Sequence, residues 1–395
     1  MTVYVVSGIP PGPSGTGRFV SYLERSGVRV VFGDQYEVSR RALLKQRRFV
    51  KVGTATARYH WRQLKLSLFL LFAARRNDID LIVMHPQSLG MQRTIELLEA
   101  REHTGLYLLD SSYFCIRSYN FRAGESGPCL DCLGNDAAGI ARNGCKTWPT
   151  GEDFAPEYVR RLRRLVGAGK VSLYAQNPTQ ARLATAHFGA PVTPFGLWTS
   201  DWNECFEAAP RRAEKSEFDV VFHGVHVEAK GADWLARVAE KCPGIRFLMP
   251  FPPPPGFIAP ANCIFRPMSW ETGLREAVVS APITAVPSLW SAPIEGALVK
   301  SLVVANAVAV CENDSAFAAD LPAGLALVLP RDVTAAAQVL RDAVASGWKP
   351  EPRLKMEWIK RFYAENSAMA DRLLQTVSSG RHRSASPVPE SLGAS

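Results

Sequence analysis

The stretch VYVVSGIPPGPSGTGRFVSYLERSGVRVVFG, residues 3–33, carries the reading of the fold. VYVVSG is short, apolar and rich in β-branched side chains, as a strand requires. IPPGPSGTG cannot continue it, because proline lacks an amide donor and the glycines favour turns. RFVSYLERSG then spaces its apolar residues at helical intervals, and VRVVFG returns to strand. Strand, glycine-rich loop, helix and strand in succession open a parallel α/β unit.

The same grammar recurs down the chain. DLIVM (80–84) reads as a buried parallel strand ending at His85, RTIELLEAREH as a helix, and GLYLLD as a strand ending at Asp110. A cysteine-rich insertion interrupts at 112–150. APEYVRRLRRLVGAG, KVSLYA and NPTQARLATAHFGA resume the rhythm, and VTPFGLWTS closes a first domain at 198. A charged linker, 199–217, leads to a second start: strand FDVVFHG, loop VHVEAKG, helix ADWLARVAEKC and strand IRFLMPF. PFPPPPGF must be a surface turn. ITAVPS, AVAVCEN and LALVLP supply further strands of a second domain, 218–355. A last long helix is expected over 356–377, and the Pro/Ser-rich tail 378–395 reads as disordered.

Composition bounds the function. A chain of 395 residues suggests roughly two domains. The net charge of +9 favours anionic partners such as nucleotides, nucleic acid or an anionic membrane surface, without choosing among them. No recognition module for nucleic acid is visible, so no specific nucleic acid is expected. No apolar run approaches the roughly 18 residues of a membrane span. MTVYVVSGIPP has no signal-peptide pattern, so the expected location is the cytoplasm, with the inner face of a membrane left open.

With these elements in order, the chain resembles the two-domain glycosyltransferases built from two facing Rossmann-like domains (the GT-B architecture), in particular the retaining group called glycosyltransferase family 4. The resemblance spans most of residues 1–375 and is strongest in the second half. It rests on GPSGTG (12–17) after the first strand, on Pro194-Phe195-Gly196 closing the first domain, and on HGVHVEAKG (223–231) opening the second. It rests also on the aromatic segment Trp358 to Tyr363, which looks like the helix that crosses back to the first domain, and on PSLWSAPIEGALVKSL (287–302) at a strand end. The fold it implies is α/β with an interdomain cleft. The implied activity is transfer of a sugar from a nucleotide-diphosphate sugar to a glycan or lipid-linked acceptor, with retention. No catalytic metal is implied. At the two positions where the family carries glutamates this chain has Ala292 and Lys300, and its basic position before Lys-Gly is His226. Loss of both acids also suits a noncatalytic descendant that binds a glycan or a partner protein.

The catalytic candidates are His85, Lys230 and Glu295; the donor-binding candidates are Gly15, Gly17, Gly224, His226, Lys230, Ser291, Glu295, Gly296 and Lys300. Lys230 would clamp the diphosphate, since the leaving pyrophosphate gathers negative charge that a fixed cation stabilises. His226 would donate to phosphate or sugar. Glu295 either caps the helix GALVKSL, where an acid favours the amide end, or replaces the missing acid against sugar hydroxyls. Lys300 either faces the cleft or solvent. Gly15 and Gly17 would let the backbone approach a ligand closely. His85, just past a buried strand, is either a cleft residue or a buried structural histidine.

Two features stand outside the donor site. Cys129 and Cys132 form a CxxC flanked by Cys115 and Cys145, with thirteen and twelve residues between. Four thiolates at this spacing suit a tetrahedral structural zinc, with an iron–sulfur cluster or free thiols as alternatives. The segment 40–76 is strongly basic and ends in SLFLLFAA, either the buried side of a core helix or a peripheral membrane contact.

Overall fold

The computed structural model describes residues 2–13, 15–33, 47, 49–135, 138–148, 151, 153–207, 216–253, 256–257 and 259–384. The basic residues of 40–46, the middle of the linker and the tail from 385 therefore lie outside the described residues. The chain folds into two parallel sheets flanked by helices. The first holds β1 (Val3–Ser7), β2 (Arg29–Phe32), β3 (Asp80–Met84), β4 (Thr104–Tyr107), β5 (Val171–Ala175) and β6 (Thr193–Pro194), in the order β2-β1-β3-β4-β5-β6. The second holds β7 (Val220–Phe222), β8 (Phe247–Met249), β9 (Cys263–Phe265), β10 (Ile283–Ala285), β11 (Val308–Cys311) and β12 (Leu327–Leu329), in the order β12-β11-β10-β7-β8-β9.

The opening stretch forms the elements its pattern predicts. Val5 sits between Val30 and Ile82 in register, and every residue of β3 is buried, as in a sheet covered on both faces. Helix α1 (Gly15–Arg25) buries Phe19, Val20 and Leu23 on one face. Helix α2 (Phe49–Ala74) buries Leu66, Leu70 and Ala73. In the second unit α3 (Ala232–Glu240) follows β7, and α4 (Gly296–Val304) follows β10. The architecture is that of two facing Rossmann-like domains with a cleft between them, as the sequence predicts.

One core cluster runs through both units by way of Trp198, Trp202 and Phe362. The long final helix expected over 356–377 is broken into α5 (Pro352–Ser367) and α6 (Met369–Ser384). Helix α6 thus continues into the stretch read as tail. At the break, the Asn366 side chain accepts from the Leu197 amide at 2.9 Å and donates to the Phe362 carbonyl at 2.8 Å. Gly196 has φ +90, and a Cβ there would lie 2.1 Å from the Asn366 oxygen, so only glycine fits this crossing. Tyr22 donates to the Ser367 carbonyl and Arg372 to that of Phe195, which binds the returning helices to the first unit.

Candidate functional site

Strand order reverses between β1 and β3 in the first sheet and between β7 and β10 in the second. At such points the loops after neighbouring strands diverge and leave a crevice beyond the carboxyl ends. Here the two crevices face each other. Gly15 and Arg18 after β1, His85 after β3, His223 and Gly224 after β7, and Ser288 and Trp290 after β10 all line one cavity of about 780 Å³.

The centre of its second wall is an ion pair. Lys230 stands at the end of a short 3-10 turn, where Gly231 follows at φ +79 and a Cβ would meet the Pro287 carbonyl at 2.1 Å. This close approach sets Lys230 beside the turn after β10. Its Nζ donates to Glu295 Oε1 and lies 5.0 Å from the Trp290 ring centre and 5.5 Å from that of Tyr119. Burial alone would lower the pKa of the ammonium, but Glu295 and Tyr119 outweigh it and raise it, so the group stays charged. Glu295 occupies the N-cap position of α4 yet makes no side-chain capping bond. Of its two expected roles, capping is therefore not the one it performs.

Lys300 faces the cleft, not solvent. It is buried, donates to Asp201 Oδ2 at 2.6 Å and lies 5.0 Å from the centre of the Trp270 ring. Arg18 of α1 donates to the same Asp201 oxygen, so the two domains share one carboxylate. Burial would raise the Asp201 pKa; the hydrogen bond and charge of Lys300 and the charge of Arg18 help bring it below the usual range. His223 stacks on Trp270 at 5.0 Å and bonds to Ser301 Oγ at 2.8 Å. Burial, reinforced by the Lys300 charge, pushes its pKa down from 6.5 to about 3.

That shift carries a prediction. The unfolded chain takes up a proton at His223 below about pH 6.5, and the folded chain resists doing so until about pH 3. Its contribution to stability is thus intact above 6.5 and is lost as pH falls through that window. Denaturation midpoints of His223→Gln are expected to fall less steeply between pH 6 and 4 than those of the wild type; parallel curves would remove His223 as a cause.

On the first wall, His85 takes a left-handed backbone, φ 54 and ψ 65, which is strained for a non-glycine residue. Its Nδ1 is buried with no hydrogen-bond partner, and burial pushes its pKa down against the opposing charge of Asp110. Asp110 accepts from Gln87 at 2.8 Å and from the Ser112 amide at 2.9 Å.

The insertion adds Ser118, Tyr119 and Trp148 to the cleft, and not as a metal centre. The structural zinc expected at Cys115, Cys129, Cys132 and Cys145 is overturned: among the described residues no group of three or more His, Cys, Asp or Glu side chains could hold a metal ion. The same finding removes the iron–sulfur alternative. The four residues do line one small pocket, but as free cysteines. Burial opposes ionisation of three of them: it pushes the Cys132 thiol up to about 11 and raises those of Cys115 and Cys145, with neighbouring sulfurs opposing ionisation further. The insertion is ordered instead by polar and aromatic contacts that cross to the second domain. Asn120 accepts from the Ser291 amide at 3.0 Å and donates to Ser291 Oγ at 2.8 Å. Tyr119 packs on Trp290 with ring centres 4.3 Å apart, and Phe121 is buried in the core of the second domain.

Of the residues proposed from sequence, His85, Gly15, Gly224, Lys230, Glu295, Gly296 and Lys300 line the cleft. Gly17, His226 and Ser291 do not. Gly17 is buried in α1, and Ser291 is buried against Asn120 and Ser315. His226 bonds to Asp233 at 3.1 Å and packs on Phe251, because β7 ends at Phe222 and His223 is the histidine that reaches the cleft. Arg18, Tyr119, Asp201, His223 and Trp270 are cleft residues that sequence reasoning missed.

No family model and no curated protein matches the chain. Solved structures do. It is similar to an α,α-trehalose-phosphate synthase (UDP-forming) from Burkholderia vietnamiensis at 13% identity, with 98% of each chain covered and a TM-score of 0.58. It is similar to sucrose-phosphate synthase from Thermosynechococcus elongatus at 12% identity, with 98% of this chain and 100% of that one covered and a TM-score of 0.59. Anabaena HepE, solved in complex with UDP, matches at 10% identity over 96% of this chain and 100% of its own, with a TM-score of 0.54. At these identities the likeness is one of fold, and it extends over nearly the whole of each chain: the protein has the two-domain GT-B architecture.

Proposed function

We propose that the protein transfers a sugar from a nucleotide-diphosphate sugar to a glycan or lipid-linked acceptor, with retention of anomeric configuration. The observation that carries this reading is the Lys230–Glu295 pair set under Trp290 and Tyr119 at the switch point of the second sheet. A donor that lays its diphosphate against Lys230 and its sugar hydroxyls against Glu295 leaves neither buried charge unpartnered. Lys230 and nearby amides then stabilise the charge that gathers on the leaving diphosphate, while the closed cleft orients donor and acceptor. Retention is not assigned to a side-chain nucleophile. Polar atoms without partners mark where a ligand would bond: His85 Nδ1, Gln176 Oε1, Ser288 Oγ and Trp290 Nε1 are buried, unsatisfied and on cleft-lining residues.

The similar structures include one described as UDP-forming and one solved with UDP, so uridine nucleotides are the first to try. A thermal-shift screen of nucleotides and nucleotide sugars is expected to single out one nucleotide class. At a concentration about 100 times its Kd, a ligand specific for the folded state adds about 2.7 kcal/mol, a shift of several degrees. A flat screen across all classes would sink the reading. One observation favours the noncatalytic alternative: Ala292 and Lys300 stand where the resembled family has acids, and Lys300 is already held by Asp201. Nucleotide stabilisation without donor hydrolysis or sugar transfer, together with direct glycan binding, would decide for that alternative.

A further inference from the structure

Helix α2 has two apolar faces, and among the described residues only one of them is packed. Leu66, Leu70 and Ala73 face the first sheet, and Phe69 packs on Tyr4. On the other side Trp61, Leu64, Leu68, Leu71 and Phe72 are between 43% and 59% exposed. At about 100° per residue these five side chains fall within an arc of about 100°, a continuous stripe along three turns. With Phe49 and Val50, this one helix carries seven of the thirteen exposed large hydrophobic side chains among the described residues. Scattered exposed leucines need no explanation, but a stripe of this length does.

The charge on the helix itself is of one sign. Phe49–Ala74 contains no aspartate or glutamate; it contains Lys51, Arg58, Arg62 and Lys65, and Arg75 and Arg76 follow at once. On the helical wheel Arg58 and Lys65 border one edge of the stripe, and Arg76, just past the end of the helix, pairs with Asp78. Lys65 lies 5.2 Å from the Trp61 ring centre and Arg76 lies 5.1 Å from that of Phe72. This places cationic heads beside aromatic rings, the arrangement in which long basic side chains cover apolar surface and keep their charge at its rim. Among the described residues no helix is long and apolar enough to cross a membrane, so a bilayer could only be met from its surface.

We infer that the outer face of α2 docks on the surface of an anionic phospholipid bilayer, with Trp61, Leu64, Leu68, Leu71 and Phe72 entering the headgroup boundary and the flanking cations meeting lipid phosphates. A second copy of this chain suits the face less well. Two α2 helices packed face to face would bring their basic edges together with no acid on either helix to offset them. The inference rests on α2 alone and stands whether or not the cleft transfers sugar.

The test is co-sedimentation of the full chain with sucrose-loaded vesicles of phosphatidylcholine alone and of phosphatidylcholine with phosphatidylglycerol. Binding is expected only with the anionic lipid, and it should weaken as salt rises. The triple variant Leu64→Gln/Leu68→Gln/Leu71→Gln should bind at least about tenfold more weakly, because it removes most of the inserting area. Its side chains are exposed, so its melting temperature should match the wild type. Arg58→Gln/Lys65→Gln, which keeps the stripe, should lose about fivefold per cation. Absence of binding to anionic vesicles would overturn the inference. So would binding that survives both variants, or a dimer in sedimentation equilibrium that the triple variant dissolves.

Discussion

Replacing Lys230 by Met is expected to lower donor hydrolysis and transfer by about 10²–10³-fold, the effect of removing one preorganised charge-stabilising donor from a site of this kind. The same change strands Glu295, whose side chain is 10% exposed, as an unpaired buried charge. Breaking such a pair costs about 3 kcal/mol or more. Stability and activity are separable by a second substitution. Lys230→Met/Glu295→Gln removes both charges and should regain most of the lost stability, because the penalty comes from the stranded partner. It should not regain activity. If the double variant recovers turnover together with its melting temperature, Lys230 acts only on the fold. Glu295→Gln alone keeps the shape of the acid but not its charge; should turnover be unaffected by it, the role given to Glu295 against sugar hydroxyls fails.

Asn120→Ala should destabilise the protein by about 3 kcal/mol. Asn120 is fully buried and its side chain makes four bonds: from Ser111 Oγ at 3.0 Å, from the Ser291 amide, to the Cys129 carbonyl at 3.0 Å and to Ser291 Oγ. Each buried group left without its partner costs about 1–3 kcal/mol, though a relaxed site recovers part of that. Two of those groups belong to the second domain. Loss of the side chain should therefore also weaken the coupling between domains, visible as a broader or divided calorimetric transition. A loss of stability below about 1 kcal/mol would mean that the insertion is held by its aromatic contacts alone. By contrast Cys129→Ser, in a pocket lined by free cysteines, should change stability little.

How much of this was legible in the sequence depends on how local each signal is. The opening stretch disclosed strand, loop, helix and strand because period and turn chemistry are properties of neighbouring residues. The turn at Pro287 was likewise legible as a strand end, and Lys230 and Glu295 were both singled out as site residues. Their mutual contact was not, since it spans 65 positions. Asp201 read as the start of a charged linker because its partner Lys300 lies 99 residues further on. Asn120 gave no signal at all, for its tie to Ser291 spans 171. The cysteines show the converse error. Their spacing indicated correctly that they approach one another, but spacing does not report burial, which opposes ionisation of Cys115, Cys132 and Cys145. His226 was chosen over His223 by resemblance to a motif, whereas the end of β7 at Phe222 decides which side chain reaches the cleft. In α2 the apolar run suited both a core helix and a surface contact, and the structure shows two apolar faces on one helix.

The central claim is that the cleft holds a nucleotide diphosphate against Lys230. Isothermal titration of UDP, and of the other nucleoside diphosphates in turn, into the wild type and into Lys230→Met/Glu295→Gln tests it most directly. One nucleoside diphosphate should bind the wild type, and the double variant should bind it at least about tenfold more weakly, in line with the loss of a charge-assisted contact worth about 1.5–3 kcal/mol. Equal affinity for both proteins, or no binding of any nucleoside diphosphate to the wild type, would contradict the account.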